Sequence, residues 1–114
     1  MSIEHVDKID GMAIDGENNE YLRLLLTDHL EWKGGNNTLS EHKHLLLLQD
    51  KINAYLSFLE TEQYKAHYPD SDFNLAIIEI HFQFDISENC EKFLQAIQDQ
   101  VGQHGIKIEA HITG

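Results

Sequence analysis

The hydropathy pattern of this chain predicts an α/β (α+β) fold: a two-layer sandwich in which a four-stranded mixed sheet carries two helices on one face. Two observations carry the prediction. Ile78, Ile80, Phe82 and Phe84 alternate with Glu79, His81, Gln83 and Asp85, the period-two pattern of a strand with one buried face. Leu45, Leu48, Ile52, Tyr55, Leu56 and Leu59 instead recur at the spacing of an amphipathic helix. The strand alternation appears three times along the chain and the helical spacing twice, and with a first strand before them the element order is β-β-α-β-α-β.

Ile9 to Ile14 reads as the first strand. Asp15-Gly16-Glu17-Asn18-Asn19 is rich in residues that tolerate turn conformations. Tyr21 to Thr27 then alternates, with Leu22, Leu24 and Leu26 on one face and Tyr21, Arg23, Leu25 and Thr27 on the other, so the two segments predict a β-hairpin. Residues 28–37 read as a loop with Gly34-Gly35-Asn36-Asn37 as its most flexible part. Thr38-Leu39-Ser40-Glu41 has the form of a capping box, and a long helix follows to about Thr61. Leu47, Ala54 and Phe58 form a second apolar stripe on that helix, with Lys51 between them. This stripe calls for a second neighbour: the other helix, or another subunit.

Tyr68-Pro69-Asp70-Ser71-Asp72 is a turn, because proline pushes its predecessor out of helix. Asn74 to Asp85 is the third strand. Asp85 or Ser87 caps a helix that presents Cys90, Phe93, Leu94, Ile97 and Val101 on one side and ends at Gly102 and Gly105. Ile106 to Thr113 is the last strand, with Ile106, Ile108, Ala110 and Ile112 inward. A helix joins the last two strands, so they pair in parallel through a right-handed crossover. The hairpin is free to pair on either side of them.

A chain of 114 residues makes one domain, residues 1–114. It carries 20 acidic against 8 basic residues, a net charge of -12. Nucleic-acid backbones and anionic membrane surfaces are disfavoured partners, since both are held by Lys and Arg. A basic protein is attracted. The single cysteine, Cys90, excludes an intramolecular disulfide, and it falls on the buried stripe of the second helix. The N-terminus has no basic segment followed by an apolar run, and the longest apolar run, Leu45 to Leu48, is too short to span a bilayer. The expected compartment is the cytoplasm.

With both helices on one face, the opposite face is open. It carries Tyr21, Arg23 and Leu25 with Glu79, His81, Gln83, Lys107, Glu109 and His111. Mixed sheets do leave a face to water, but tyrosine and arginine are also frequent interface anchors. Imidazole beside carboxylate at His81 and His111 suits a transition metal, although no close-spaced ligand pair of the H-E-x-x-H or C-x-x-C kind accompanies them. Asp28-His29-Leu30-Glu31-Trp32 follows a strand end and offers an acid, an imidazole and an aromatic ring for acid–base chemistry. Adjacent residues point apart on most backbones, so Trp32 is expected to pack over the core edge and the charges to be solvated. His42 and His44, two apart, share no helix face and are expected to decorate the first turn. No phosphate loop or calcium loop is in register, and no motif calls for a cofactor.

Val6-Asp7-Lys8-Ile9-Asp10-Gly11-Met12-Ala13-Ile14-Asp15, Thr27-Asp28-His29-Leu30-Glu31-Trp32 and His44-Leu45-Leu46-Leu47-Leu48-Gln49-Asp50-Lys51-Ile52-Asn53-Ala54-Tyr55 together resemble a family of small bacterial proteins of unknown function. The resemblance implies a bacterial cytosolic single-domain protein and carries over no catalytic residue. The function expected is a non-enzymatic protein-interaction module, immunity-like or inhibitor-like in its acidity. It is expected to form a homodimer through the open face or the Leu47–Phe58 stripe, and a basic protein is its other expected partner. The alternative is a metal-dependent or acid–base enzyme using His81 and His111, or Asp28 and His29.

Overall fold

The computed structural model of the chain describes residues 9–16, 20–30, 32, 41–69 and 73–112. The capping residues Thr38, Leu39 and Ser40, the glycine loop at 34–37, and the middle of the two turns at 17–19 and 70–72 lie outside the described residues.

The described residues form four strands and two α-helices in the order β-β-α-β-α-β. Strand β1 (Gly11–Ile14) pairs antiparallel with β2 (Tyr21–Asp28), Gly11 facing Leu25 and Ile14 facing Leu22. Strand β2 runs parallel to β3 (Leu75–Phe82), and β3 runs parallel to β4 (Ile106–Ile112), so the sheet order is β1-β2-β3-β4. Helix α1 (Glu41–Glu60) is the crossover between β2 and β3, and α2 (Glu88–Val101) the crossover between β3 and β4. The two crossovers step the same way across the sheet. With the same hand they place both helices on one face.

The core lies in that layer. Leu22, Leu24, Leu26, Ile78, Ile80 and Phe82 from the sheet pack with Leu48, Ile52 and Tyr55 of α1 and Cys90 and Leu94 of α2 in one buried cluster. Leu47 and Phe58 of the second helical stripe are half-buried and pack against the same cluster.

Strand β1 begins two residues later than its alternation predicts, because Asp10 is otherwise engaged. Its carboxylate accepts from the Thr27 amide at 2.9 Å and the Thr27 hydroxyl at 3.1 Å, and its own N–H donates to the Tyr55 hydroxyl at 2.9 Å. The next rung of the ladder is therefore made by side chains. Ser87 caps α2, its hydroxyl accepting from the Cys90 amide at 3.2 Å. After α2 the chain makes a short 3₁₀ turn (Gly102–His104) and reverses at Gly105, whose φ of 74° is in the left-handed region. A Cβ there would also sit 3.2 Å from the Asn74 carbonyl oxygen, so the position needs glycine. An unpredicted 3₁₀ turn (Gln63–Ala66) follows α1 and places Tyr64 edge-on to Phe73, ring centroids 5.5 Å apart.

Phe84 is not inward as its alternation implied. It lies beyond the last rung, where the Gln83 amide donates to the Asp28 carbonyl at 2.9 Å, and is 37% exposed. Ile112 faces the helix layer but is 51% exposed. Strand β4 is one of the two edges of the sheet, and a groove between it and α2, lined by Leu94, Ile108, Ala110 and Ile112 among others, leaves its end uncovered.

Candidate functional site

The face of the sheet turned away from the helices is built from every second residue. Register places Arg23, Ile77 and Lys107 in one row, Leu25, Glu79 and Glu109 in the next, and Thr27, His81 and His111 in the third. Cross-strand neighbours in such rows lie about 4.8 Å apart, so groups far apart in sequence become a continuous polar surface.

Arg23 is the hub of that surface. Its Nε donates to Asp15 Oδ1 at 2.5 Å, and its Nη1 lies 3.1 Å from Glu109 Oε1 and 3.5 Å from Glu79 Oε2. The hydrogen bonds to Asp15 and then Glu109 raise the guanidinium pKa above its already high ordinary value. Burial pulls the Glu109 carboxyl upward, but hydrogen bonds from Arg23 and His111, the charge of Arg23 and a hydrogen bond from Lys107 outweigh it. The net result lies below the ordinary carboxylate range.

His81 and His111 stack beside this hub with ring centroids 5.1 Å apart and planes 20° from parallel. His111 Nε2 lies 3.3 Å from Glu109 Oε1 and 3.8 Å from Glu79 Oε1, and His81 Nε2 lies 3.2 Å from Glu79 Oε1. One ligand atom each from Glu79, Glu109 and His111 falls within 4.8 Å of the others. The groups that sequence analysis set on this face are therefore brought together. Gln83 lies past the end of β3 and is not part of the rows. Tyr21 is half-buried, and Leu25 is half-buried against Gly11, where a Cβ would meet the Leu25 side chain at 3.2 Å. Ile77, which sequence analysis did not mark, is buried between Arg23 and Lys107 on this face.

Asp28 and His29 are not brought together. Asp28 continues the inward set of Leu22, Leu24 and Leu26 and is 1% exposed, whereas His29 is exposed. The partner of Asp28 is His44 of α1, also 1% exposed, with Nε2 at 2.6 Å from Asp28 Oδ2. The Leu30 amide donates to the other carboxylate oxygen at 3.0 Å. Trp32 stacks on the His44 ring at 3.5 Å and packs edge-on to Phe82. Among the described residues, Trp32 Nε1 and His44 Nδ1 have no hydrogen-bond partner. Trp32 thus covers the core edge as expected, but Asp28 is not solvated and His44 does not decorate a surface turn.

A second buried pair joins the same helix to the start of β1. Lys51, 0% exposed, places Nζ 2.7 Å from Asp10 Oδ1. The Tyr55 hydroxyl accepts from the Asp10 amide and donates to the Leu25 carbonyl. Burial foremost, with the charge of Asp10, raises the Tyr55 phenol against the lowering effect of the Asp10 amide. Cys90 is buried at the start of α2. Burial first, then the charges of Asp28, Glu41 and Glu91, push its thiol up to about 12, so it is neutral and a poor nucleophile.

The described cavities lie elsewhere. One of about 260 Å³, lined chiefly by Leu22, Leu56, Leu59, Tyr64, Phe73 and Val101, opens at the end of the sheet where β2 and β3 begin. Among the described residues no helix is long and apolar enough to cross a membrane. No curated protein and no solved structure matches the chain. The model of one family matches residues 1–114, and the chain belongs to that family, a family of unknown function designated DUF6572.

Proposed function

We propose that the protein is a non-enzymatic interaction module that self-associates as a homodimer through the open face of its sheet. The observation that carries this reading is the balance of charge on that face. The chain as a whole is strongly acidic, at -12. On the open face, however, Arg23 and Lys107 stand against Asp15, Glu79 and Glu109 in an interlaced set of ion pairs. With two cations against three carboxylates in this set, most of the acid excess lies on other surfaces, and this is where a like-charged copy approaches at least cost. A two-fold interface pairs one patch with itself, and a patch carrying both signs is able to complement itself. Tyr21 and Leu25, half-buried on the same face, supply apolar contact area. The Leu47–Phe58 stripe is the weaker candidate, because both side chains already pack on the core.

The test is the mass of the untagged protein by native mass spectrometry and light scattering, beside Tyr21→Glu and Leu25→Glu. A dimer that both variants convert to a folded monomer supports the reading. A monomeric parent, or variants that stay dimeric, refutes it.

The net charge favours a second reading, docking of a basic protein on the acidic surfaces away from this face, as an immunity-like or inhibitor-like module would do. Such a complex weakens steeply with added salt. Insensitivity to salt would count against it.

A further inference from the structure

We infer that Glu79, Glu109 and His111, with His81 beside them, form a binding site for a divalent transition-metal ion of the zinc type on the open sheet face. The first argument is the pairing itself. Strands β3 and β4 set Glu79 directly beside Glu109 and His81 directly beside His111. Like charges abreast on neighbouring strands destabilise a sheet, and Arg23 with Lys107 offsets the two carboxylates. The two rows set carboxylate and imidazole side by side, the donor types a divalent transition metal takes.

The second argument is geometric. A tetrahedral zinc ion holds nitrogen and oxygen ligands at about 2.0–2.2 Å, which separates the ligand atoms by about 3.3–3.6 Å. His111 Nε2 is 3.3 Å from Glu109 Oε1 and 3.8 Å from Glu79 Oε1, close to that separation, and the three ligand atoms all lie within 4.8 Å of one another. His81 Nε2, at 3.2 Å from Glu79 Oε1, stands beside the set but outside the three ligand atoms that lie within 4.8 Å of one another, which leaves the fourth position to water. The donor set of imidazole and carboxylate selects zinc, cobalt or nickel over calcium and magnesium, which prefer oxygen alone.

The third argument concerns Arg23, the obvious competitor. It approaches Glu79 through Oε2, leaving Oε1 to face the histidines, and Asp15 takes its Nε. Glu109 Oε1 is shared between Arg23 and His111, and a carboxylate oxygen has lone pairs for two partners. The site is independent of the dimer reading, since all four side chains come from one chain.

The experiment titrates the chelator-treated full chain with Zn²⁺ by calorimetry and with Co²⁺ by its visible absorption. The variants are His111→Ala, Glu109→Gln and His81→Ala, with the exposed His42→Ala and His67→Ala as controls. The expected result is one ion per chain, a Co²⁺ spectrum of four- or five-coordinate type, and affinity reduced at least tenfold in His111→Ala and Glu109→Gln but unchanged in the controls. No stoichiometric binding, or equal loss in site and control variants, overturns the inference. Oligomeric state measured with chelator throughout separates failure of this site from failure of the homodimer.

Discussion

Replacing Lys51 by methionine tests how α1 is held to the sheet. The Lys51 ammonium is fully buried and reaches Asp10 Oδ1 at 2.7 Å, while the other Asp10 oxygen keeps the Thr27 amide and hydroxyl. Methionine fills much the same volume, so packing changes little and the loss is electrostatic. It leaves a buried carboxylate with two hydrogen bonds and without the Lys51 charge. Breaking one side of a buried pair costs about 3–5 kcal/mol, and the Thr27 contacts set the expectation at the lower end, about 3 kcal/mol. With a urea m-value of about 1.5 kcal/mol/M, the unfolding midpoint falls by about 2 M. The double variant Asp10→Asn, Lys51→Met removes the stranded charge and keeps an acceptor for Thr27. It recovers most of the loss, because a buried ion pair contributes little net stability against a neutral replacement. The assay is urea unfolding followed by far-ultraviolet circular dichroism for the parent, both singles and the double. Lys51→Met within 1 kcal/mol of the parent, or a double variant at least as unstable as the sum of the singles, would refute the reasoning.

His44→Ala strands Asp28 and removes the ring on which Trp32 stacks, and costs about 3 kcal/mol or more by the same denaturation assay. Asp28→Asn costs less, because it still accepts from the Leu30 amide. For Cys90, the folded thiol is raised to about 12 while an unfolded thiol ionises near 8.5. The unfolded state therefore loses its proton first as pH rises. The stability this thiol contributes is intact below about 8.5 and declines up to about 12, and Cys90→Ala shows a flatter pH dependence there. In the native protein Cys90 stays unreactive toward a thiol reagent at pH 8 and reacts on addition of urea; rapid native labelling would contradict its burial.

Most of the fold was legible because one face of each element is simple. The alternation in β2, β3 and β4 and the stripe on α1 fixed which residues point inward, and the glycines after α2 marked its end. Parity alone places Asp28 with Leu22, Leu24 and Leu26. The helical period places His44 with Leu48, Ile52 and Tyr55. Both were signals for a buried polar pair, and they were missed because charged types were assigned to solvent by chemistry instead of by position. Lys51 carried the same signal. That its partner would be Asp10, across 41 residues, was not legible, since it depends on where β1 stops. Strand order was also beyond the pattern, because either edge of the parallel pair would have accepted the hairpin. The open-face residues were legible as a set. Their distances were not, because these follow from the register between strands and not from any spacing within one.

The two polar systems of this protein sit on opposite faces of one strand, and this explains why the outer one is free for function. Strand β2 gives Asp28 to the core side, where it binds α1 through His44. It gives Arg23 to the outer side, where it gathers Asp15, Glu79 and Glu109. The inner pairs, Asp28–His44 and Asp10–Lys51, tie α1 to β2 and to the start of β1, so the helix layer is fixed without any contribution from the outer face. Surface ion pairs contribute at most about 1 kcal/mol each, so the Arg23 cluster is a minor part of the stability of the fold. Stability therefore does not account for Glu79 beside Glu109 and His81 beside His111. A sheet selected for solvent exposure alone would be better served by alternating signs or by threonine in those rows. The proposed cation and the proposed second copy of the chain would each give that arrangement a use, and each requires that face to be open, as the two same-handed crossovers over β2, β3 and β4 leave it among the described residues.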